Sequence, residues 1–359
     1  MPERRVMTSS NDKAGIKITL EDLANVAVSE PQAAPVTTSP TGVRSYGTVT
    51  EAAEQGPALP EERGSILLQG WFYLGIAGTL GALAGWGIAE PGFIDAPGTR
   101  SWGEMVMIPL IIALMSFGFA IAESTVERSV RKALLRGLLS LPLGLVLGFV
   151  FSFVANVIYA IGMQFCFEAG AQSQGNPAFW IARGIAWMVF GAAGGLVYGI
   201  VGQSSKKGKY GVLGGIIGAG IGGLVFNPIA MMTHGGAVSR AVGFGLVGVA
   251  TGVGMGLVES ALKDRWLYVT AGPLAGKQFI LYKNRTAIGS RQESDIYLFK
   301  DPNILPEHAV VEINGSRVQI RATGNVFFAG HSIQARVLQD GDLLQVGRYS
   351  FRYKERHRA

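Results

Sequence analysis

Groups able to attack, to move protons or to bind a metal are thinly spread along this 359-residue chain. Its one cysteine, Cys166, has no second thiol with which to form an internal disulfide or a cysteine-based metal site. His308 has no other ligand-type residue at metal spacing. The order of residues contains no Ser/His/Asp set, no carboxylate pair in a pocket-forming pattern and no phosphate loop. Glycine runs that match G-x-G-x-x-G in letters lie inside long apolar stretches. There they neither follow a soluble strand nor offer a helix N-terminus to water, as a phosphate cradle requires. Glu104, Glu123, Glu259, Arg183 and Arg240 fall near the ends of those stretches, where long side chains reach the interface. This inventory predicts a non-catalytic protein with no cofactor and no metal site.

The elements that must position these groups are mostly apolar. Apolar residues make up 48% of the chain, charged residues only 16%, and glycines number 51, the balance expected when much of a chain sits in lipid. Three segments follow from the texture. Residues 1–62, net −4, are rich in Ser, Thr, Pro, Ala and Glu and predict a disordered cytoplasmic tail. Within it Ile16–Val28 has the spacing of a short helix that is marginal alone. The first 60 residues lack the basic-then-apolar run of a cleavable signal, which leaves the first membrane helix as its own insertion signal.

Residues 63–262, net +4, predict a polytopic α-helical membrane bundle of about six spans: Ser65–Ala89, Glu104–Ala122, Leu134–Gly162, Ala178–Gly202, Tyr210–Met232 and Val238–Leu257. The connections after the second, fourth and sixth spans are basic, with Arg128, Arg131, Lys132 and Arg136, then Lys206, Lys207 and Lys209, then Lys263 and Arg265. Short Lys/Arg-rich loops stay inside, so both termini are expected in the cytoplasm of a plasma or inner-membrane protein.

Ala122-Glu123-Ser124, Gly202-Gln203-Ser204 and Val258-Glu259-Ser260 close the even spans alike, which reads as a repeated hairpin. Glycines at three- and four-residue intervals recur at Gly75, Gly78, Gly81 and Gly85, at Gly191, Gly195 and Gly199, and at Gly211, Gly214, Gly215, Gly218 and Gly222. Each set is read as one helix face on which backbones meet closely. Asn156 is expected to bond between helices, and Asn227-Pro228 to break its span.

After Trp266 the period changes to two, with AlaGly, AsnGly, ThrGly and AspGly turns between short strands, so residues 263–359, net +6, predict a soluble all-β sandwich. The pieces Ile288-Gly289 with Ser294-Asp295-Ile296, Asp301-Pro302 leading to His308-Ala309, Phe327-Phe328-Ala329-Gly330, and Leu338-Gln339-Asp340-Gly341-Asp342 with Val346-Gly347 and Phe351 come in one order. In that order and spacing the domain resembles the forkhead-associated (FHA) family over about 90 residues. The resemblance implies a non-catalytic module that binds phosphothreonine peptides through loops at one end, with His308 buttressing a loop. It implies peptide-binding positions at Ser290, Arg291, Asn303, Leu305, Gly324 and Asn325. Several depart from the family. Ser290 stands where an arginine is usual, with Arg291 one place on. Leu305 and Pro306 replace a serine and an arginine, and Gly324 replaces an asparagine. A phosphate held without those charge-assisted donors loses much of its binding energy.

The expected function is a membrane-anchored, non-catalytic scaffold that presents a cytoplasmic FHA-like domain with a degenerate phosphothreonine site. The alternative is a transporter or channel with an FHA-like regulatory domain. Expected partners are a cytoplasmic protein or phosphoprotein ligand, the lipid bilayer and a second copy through the glycine-rich helices, with no nucleic acid. The tail threonines Thr37, Thr38, Thr41, Thr48 and Thr50 are candidate phosphorylated ligands of the same domain.

Overall fold

A computed structural model describes residues 36–38, 44–46, 65–94, 101–171, 175–233 and 235–356. The chain divides into two compact units, Met1–Gln55 and Gly56–Ala359. In the first, β1 (Val36–Thr38) pairs antiparallel with β2 (Arg44–Tyr46), Val36 opposite Tyr46. These strands fall inside the stretch expected to lack structure. Their β-branched Val-Thr-Thr run, followed by Pro40 and Gly42, accounts for a local pairing. The helix expected over Ile16–Val28 lies outside the described residues.

The second unit opens with six helices long and apolar enough to cross a membrane. They are α1 (Gly70–Ala89), α2 (Trp102–Val126), α3 (Val130–Glu168), α4 (Pro177–Val201), α5 (Ser205–Met232) and α6 (Gly236–Leu262). Side chains of Ser101, Ser129, Asn176 and Ser204 accept the first free amides of α2, α3, α4 and α5, which is why those helices begin there. Neighbours in sequence pack against each other and α6 closes on α1, while α2 also meets α4 across the ring. Phe119, Trp187, Phe226, Phe244 and Met255 fill the interior. The gap left among Ile108, Met115, Trp187, Phe244 and Thr251 is about 30 Å³.

Three sequence expectations change here. Pro228 lies inside an unbroken α5, and the Asn227 side chain is buried with its amide nitrogen unpaired among the described residues. Asn156 is exposed on α3 instead of bonding between helices. The glycines serve two faces in two of the helices. Gly191, Gly195 and Gly199 all meet α5, as expected, but on α5 Gly211 and Gly215 meet α4 whereas Gly214, Gly218 and Gly222 meet α6. On α1, Gly75 and Gly78 meet α6, and Gly81 and Gly85 meet α2. Residues three apart differ by about 60° around a helix, enough to address different neighbours.

Two hairpins turn alike. At α2–α3, Arg128 takes φ 56° and the Ser129 amide bonds to the Ser124 carbonyl. At α4–α5, Gln203 takes φ 52° and the Ser204 amide bonds to the Gly199 carbonyl. Each is a left-handed helix stop followed at once by a serine cap, with Lys132 and Lys207 donating their amides to the two caps. The geometric equivalents are Ser129 and Ser204.

The chain then becomes a β-sandwich: β3 (Arg265–Ala271), β4 (Gln278–Ile280), β5 (Arg285–Gly289), β6 (Ile296–Tyr297), β7 (Ala309–Asn314), β8 (Arg317–Phe328), β9 (His331–Val337), β10 (Leu343–Val346) and β11 (Tyr349–Glu355). The strand order is β4-β3-β11-β10-β8-β7-β5-β6, with β9 added on β8. Only β5–β6 is parallel. Alternate residues turn inward, so Leu267, Val269, Ile288, Val311, Ile320, Val326, Leu344, Val346 and Phe351 form one core separate from that of the helices.

Candidate functional site

Three segments of the β-domain converge on His308, a buried residue ahead of β7. Its Nδ1 accepts the Leu305 amide at 3.1 Å. The ring proton therefore sits on Nε2, which donates to the Asn325 carbonyl at 3.0 Å. The His308 backbone takes the Thr323 and Gly324 amides on its carbonyl and gives its own amide to Ile288. Ser290 donates its amide to the Leu305 carbonyl at 3.0 Å. The imidazole thus ties the β6–β7 loop to the irregular middle of β8, and the β5–β6 loop joins them through the Ser290 bond to Leu305. Gly324 is needed where it stands, because a Cβ there would lie 2.3 Å from the imidazole. Gly289 is likewise fitted against the Pro306 carbonyl, 2.1 Å from where its Cβ would be.

The structure brings Leu305, Gly324 and Asn325 together at this ring and holds Ser290 one bond away on Leu305. Arg291 is exposed on the same loop as Ser290. Asn303 lies further off, with its amide on Asp301 Oδ1 at 3.0 Å in a local turn that also takes the Arg348 amide. Beneath the β6–β7 loop the Tyr349 hydroxyl accepts from the Phe299 amide at 3.1 Å and donates to the Phe299 carbonyl at 2.6 Å. Burial pushes this phenol up to about 12. Tyr349→Phe leaves both Phe299 backbone groups buried without that partner, so its thermal melt should show a loss of ~2 kcal/mol. A melt like the wild type's would remove Tyr349 from this role.

The remainder of the β5–β6 loop grips the helices. The Ser129 hydroxyl donates to the Gln292 carbonyl at 3.0 Å, and the Arg131 amide to Gln292 Oε1 at 3.2 Å. Arg131 also pairs with Glu293, and the Lys132 ammonium reaches the Ser294 carbonyl. The Arg128 guanidinium lies over the Phe299 ring, 5.2 Å from its centroid. Three consecutive loop residues next to Arg291, Gln292, Glu293 and Ser294, are therefore touched by the α2–α3 turn or by the first turn of α3. None of these helix residues was singled out in the sequence as part of a site. The only signal there was that the turn is basic.

Behind the loop lies a buried charge cluster at the β-domain end of the helices. Glu127 sits between Lys132 at 3.5 Å and Lys277 at 3.6 Å, and the Lys277 side chain is only 3% exposed. Glu123 pairs with Arg136 at 3.1 Å and with Lys207. Glu259 accepts from the Tyr282 hydroxyl, and Lys263 donates to Gln278 Oε1. Burial pulls the Lys263 ammonium below its ordinary value, opposed by the charge of Glu259. A cavity of about 110 Å³ runs between these groups. Glu123 and Glu259, expected to reach for the membrane interface, are instead held inside a protein junction. At the opposite end Arg240 pairs with Glu90, its Nε 3.0 Å from Oε2, and Arg183 bonds to the Tyr159 hydroxyl at 2.9 Å.

A β-sandwich whose loops gather on His308, joined to six apolar helices, defines an FHA-like module on a membrane bundle. Comparison with known proteins agrees for the module. Residues 268–357 match the family described as the cytoplasmic domain of an inner membrane component of T3SS. An oxoglutarate dehydrogenase inhibitor from Corynebacterium jeikeium is 31% identical over 86 residues, which is 23% of this chain and 59% of that relative's length. An FHA domain from Chlamydia trachomatis is 27% identical over 26% of this chain and 99% of its own, with a TM-score of 0.24. The cytoplasmic domain of a T3SS sorting platform protein from P. aeruginosa is 22% identical over 27% of this chain and 83% of its own, TM-score 0.24. The C-terminal domain is FHA-like. The families it resembles are interaction modules, not catalysts.

Proposed function

We propose that this protein is a membrane-anchored scaffold whose FHA-like domain, facing the cytoplasm, binds a protein ligand through the loops gathered on His308. The observation that carries this reading is the gathering of Leu305, Gly324 and Asn325 on one imidazole, with Ser290 bonded to Leu305 and Arg291 exposed on the same loop as Ser290. A loop cluster fixed on a rigid sandwich presents backbone and side-chain groups to an extended partner, and Arg291 is its cation for an acidic or phosphorylated residue. The matched family's description as a cytoplasmic domain, together with basic turns at the β-domain end, supports the orientation. The helices serve as anchor and platform. Their interior, filled by apolar side chains around a gap of about 30 Å³, favours this over a transporter. The segments 1–62, 63–262 and 263–359 are then ligand-bearing tail, anchor and reader.

The test uses the full chain in lipid nanodiscs with peptides spanning residues 34–50, threonine-phosphorylated or plain. The phosphorylated form is expected to bind, and Arg291→Ala to weaken it about tenfold, the loss of one charge-assisted contact of ~1.5 kcal/mol. Equal binding of both peptides would end the phosphothreonine part of the reading. Wild-type affinity in Arg291→Ala would remove this loop from the site.

A further inference from the structure

The outer wall of the α4–α5 pair carries a groove of about 650 Å³ that the function above does not use. Leu196 and Ile200 of α4 face Val212 and Ile216 of α5 across it. Its depth comes from Gly199 and Gly208, which lie so close that a Cβ on Gly199 would be 2.2 Å from the Gly208 Cα. With no side chain on either, the floor is bare backbone and the walls stand proud of it. Ile200 is 50% exposed and Leu213, beside Val212, 43%, so no other part of the described chain covers them. The groove runs along α5 from Ser205 to Ile216, ~18 Å of helix. At its β-domain end it is closed by Lys209, which is exposed and has no bonded partner among the described residues, and by the exposed Ser205.

An apolar trough on the lipid side of a membrane helix pair, ending in a free ammonium at the headgroup level, has the chemistry of one ligand. We propose that this groove binds an anionic phospholipid, with an acyl chain between Leu196 and Ile216 and the phosphate on Lys209. A second copy of the chain fits less well. In a symmetric pair its matching end would bring Lys206 and Lys209 against their own copies. Zwitterionic lipid fills the trough without using the cation. One lysine near a membrane surface favours anionic lipid by ~1 kcal/mol, which is about fivefold in occupancy.

The full chain in detergent, offered equal amounts of phosphatidylglycerol and phosphatidylcholine, is examined by native mass spectrometry. The wild type should retain the anionic lipid in about fivefold excess. Lys209→Gln, an exposed change that leaves the fold alone, should bring the ratio close to one, while Lys300→Gln on the β-domain keeps it. Val212→Trp should lower retention of both lipids by filling the trough. Equal selectivity in Lys209→Gln and wild type would overturn the proposal. So would displacement of the bound lipid by free glycerophosphate, which would make it an anion site without a chain. A wild-type dimer that Val212→Trp dissociates would assign the groove to protein.

Discussion

Gly191→Leu is expected to prevent the helices from assembling. A Cβ at Gly191 would sit 1.8 Å from the Gly215 carbonyl oxygen and 2.2 Å from its carbon, and at Gly195 it would sit 2.2 Å from the Gly211 carbonyl carbon. These are backbone atoms, which cannot rotate away, so the two helices must part along their whole contact. Lipid tails supply no hydrophobic drive to hold them at a greater distance, because association there depends on close packing itself. Overpacking of this severity costs ~3 kcal/mol or more. The measurement is maleimide labelling of Cys166, buried against Phe179 and Ala182 where α3 meets α4, with a thermal melt in detergent. Labelling should rise from slow to complete and the melting transition should disappear. Gly87→Leu is the control, since nothing lies within 4 Å of its Cβ position. Slow labelling and a wild-type melt in Gly191→Leu would refute the close-contact account of the glycines.

Glu127→Ala should release the β-domain from the helices without unfolding either. The carboxylate is the partner of a buried ammonium, Lys277 from the β-domain, and of a partly buried one, Lys132 from α3. Removing one member of a buried pair leaves uncompensated charge and costs ~3–5 kcal/mol. The strain is relieved most directly by separating Lys277 from the junction, because water then solvates it. Each part retains its own apolar core, so undocking and not denaturation is the expected response. Trypsin should then cut after Lys263 and Lys277, and amides of the β5–β6 loop should exchange faster with deuterium. Glu127→Ala combined with Lys277→Met removes both charges and should restore much of the protection. An unchanged digestion pattern in the single variant would show that docking does not depend on this pair. Since the same junction touches the loop bearing Arg291, the single variant also asks whether the helices help position the proposed binding loops.

The two large effects differ in how visible they were beforehand. Close glycine packing was legible from three- and four-residue spacing within apolar runs, because a missing side chain has the same meaning wherever two helices meet. Which neighbour each glycine meets was not legible. Gly214 and Gly215 are adjacent in sequence yet touch α6 and α4 respectively. Asn156 failed for the same reason, since depth along a span does not say which way a side chain faces.

The number of spans, the change from helical to alternating periodicity near Trp266, and the FHA-like order of motifs are properties of the chain read in one dimension. Apolar runs of bilayer length, period-two alternation and turn residues each act locally, so local sequence suffices for them. The gathering of Leu305 and Asn325 on His308, with Ser290 held on Leu305, was reachable through the motif order. The junction was not. Glu127, Lys132 and Lys277 look like ordinary surface charges in the sequence, and Lys277 is 150 positions from Glu127. Only when the α2–α3 turn and the β-domain are brought together does water leave them, and burial turns a weak surface attraction into a strong mutual dependence. Long-range desolvation has no sequence signature, which is why the tertiary structure alone decided how the membrane bundle holds its β-domain.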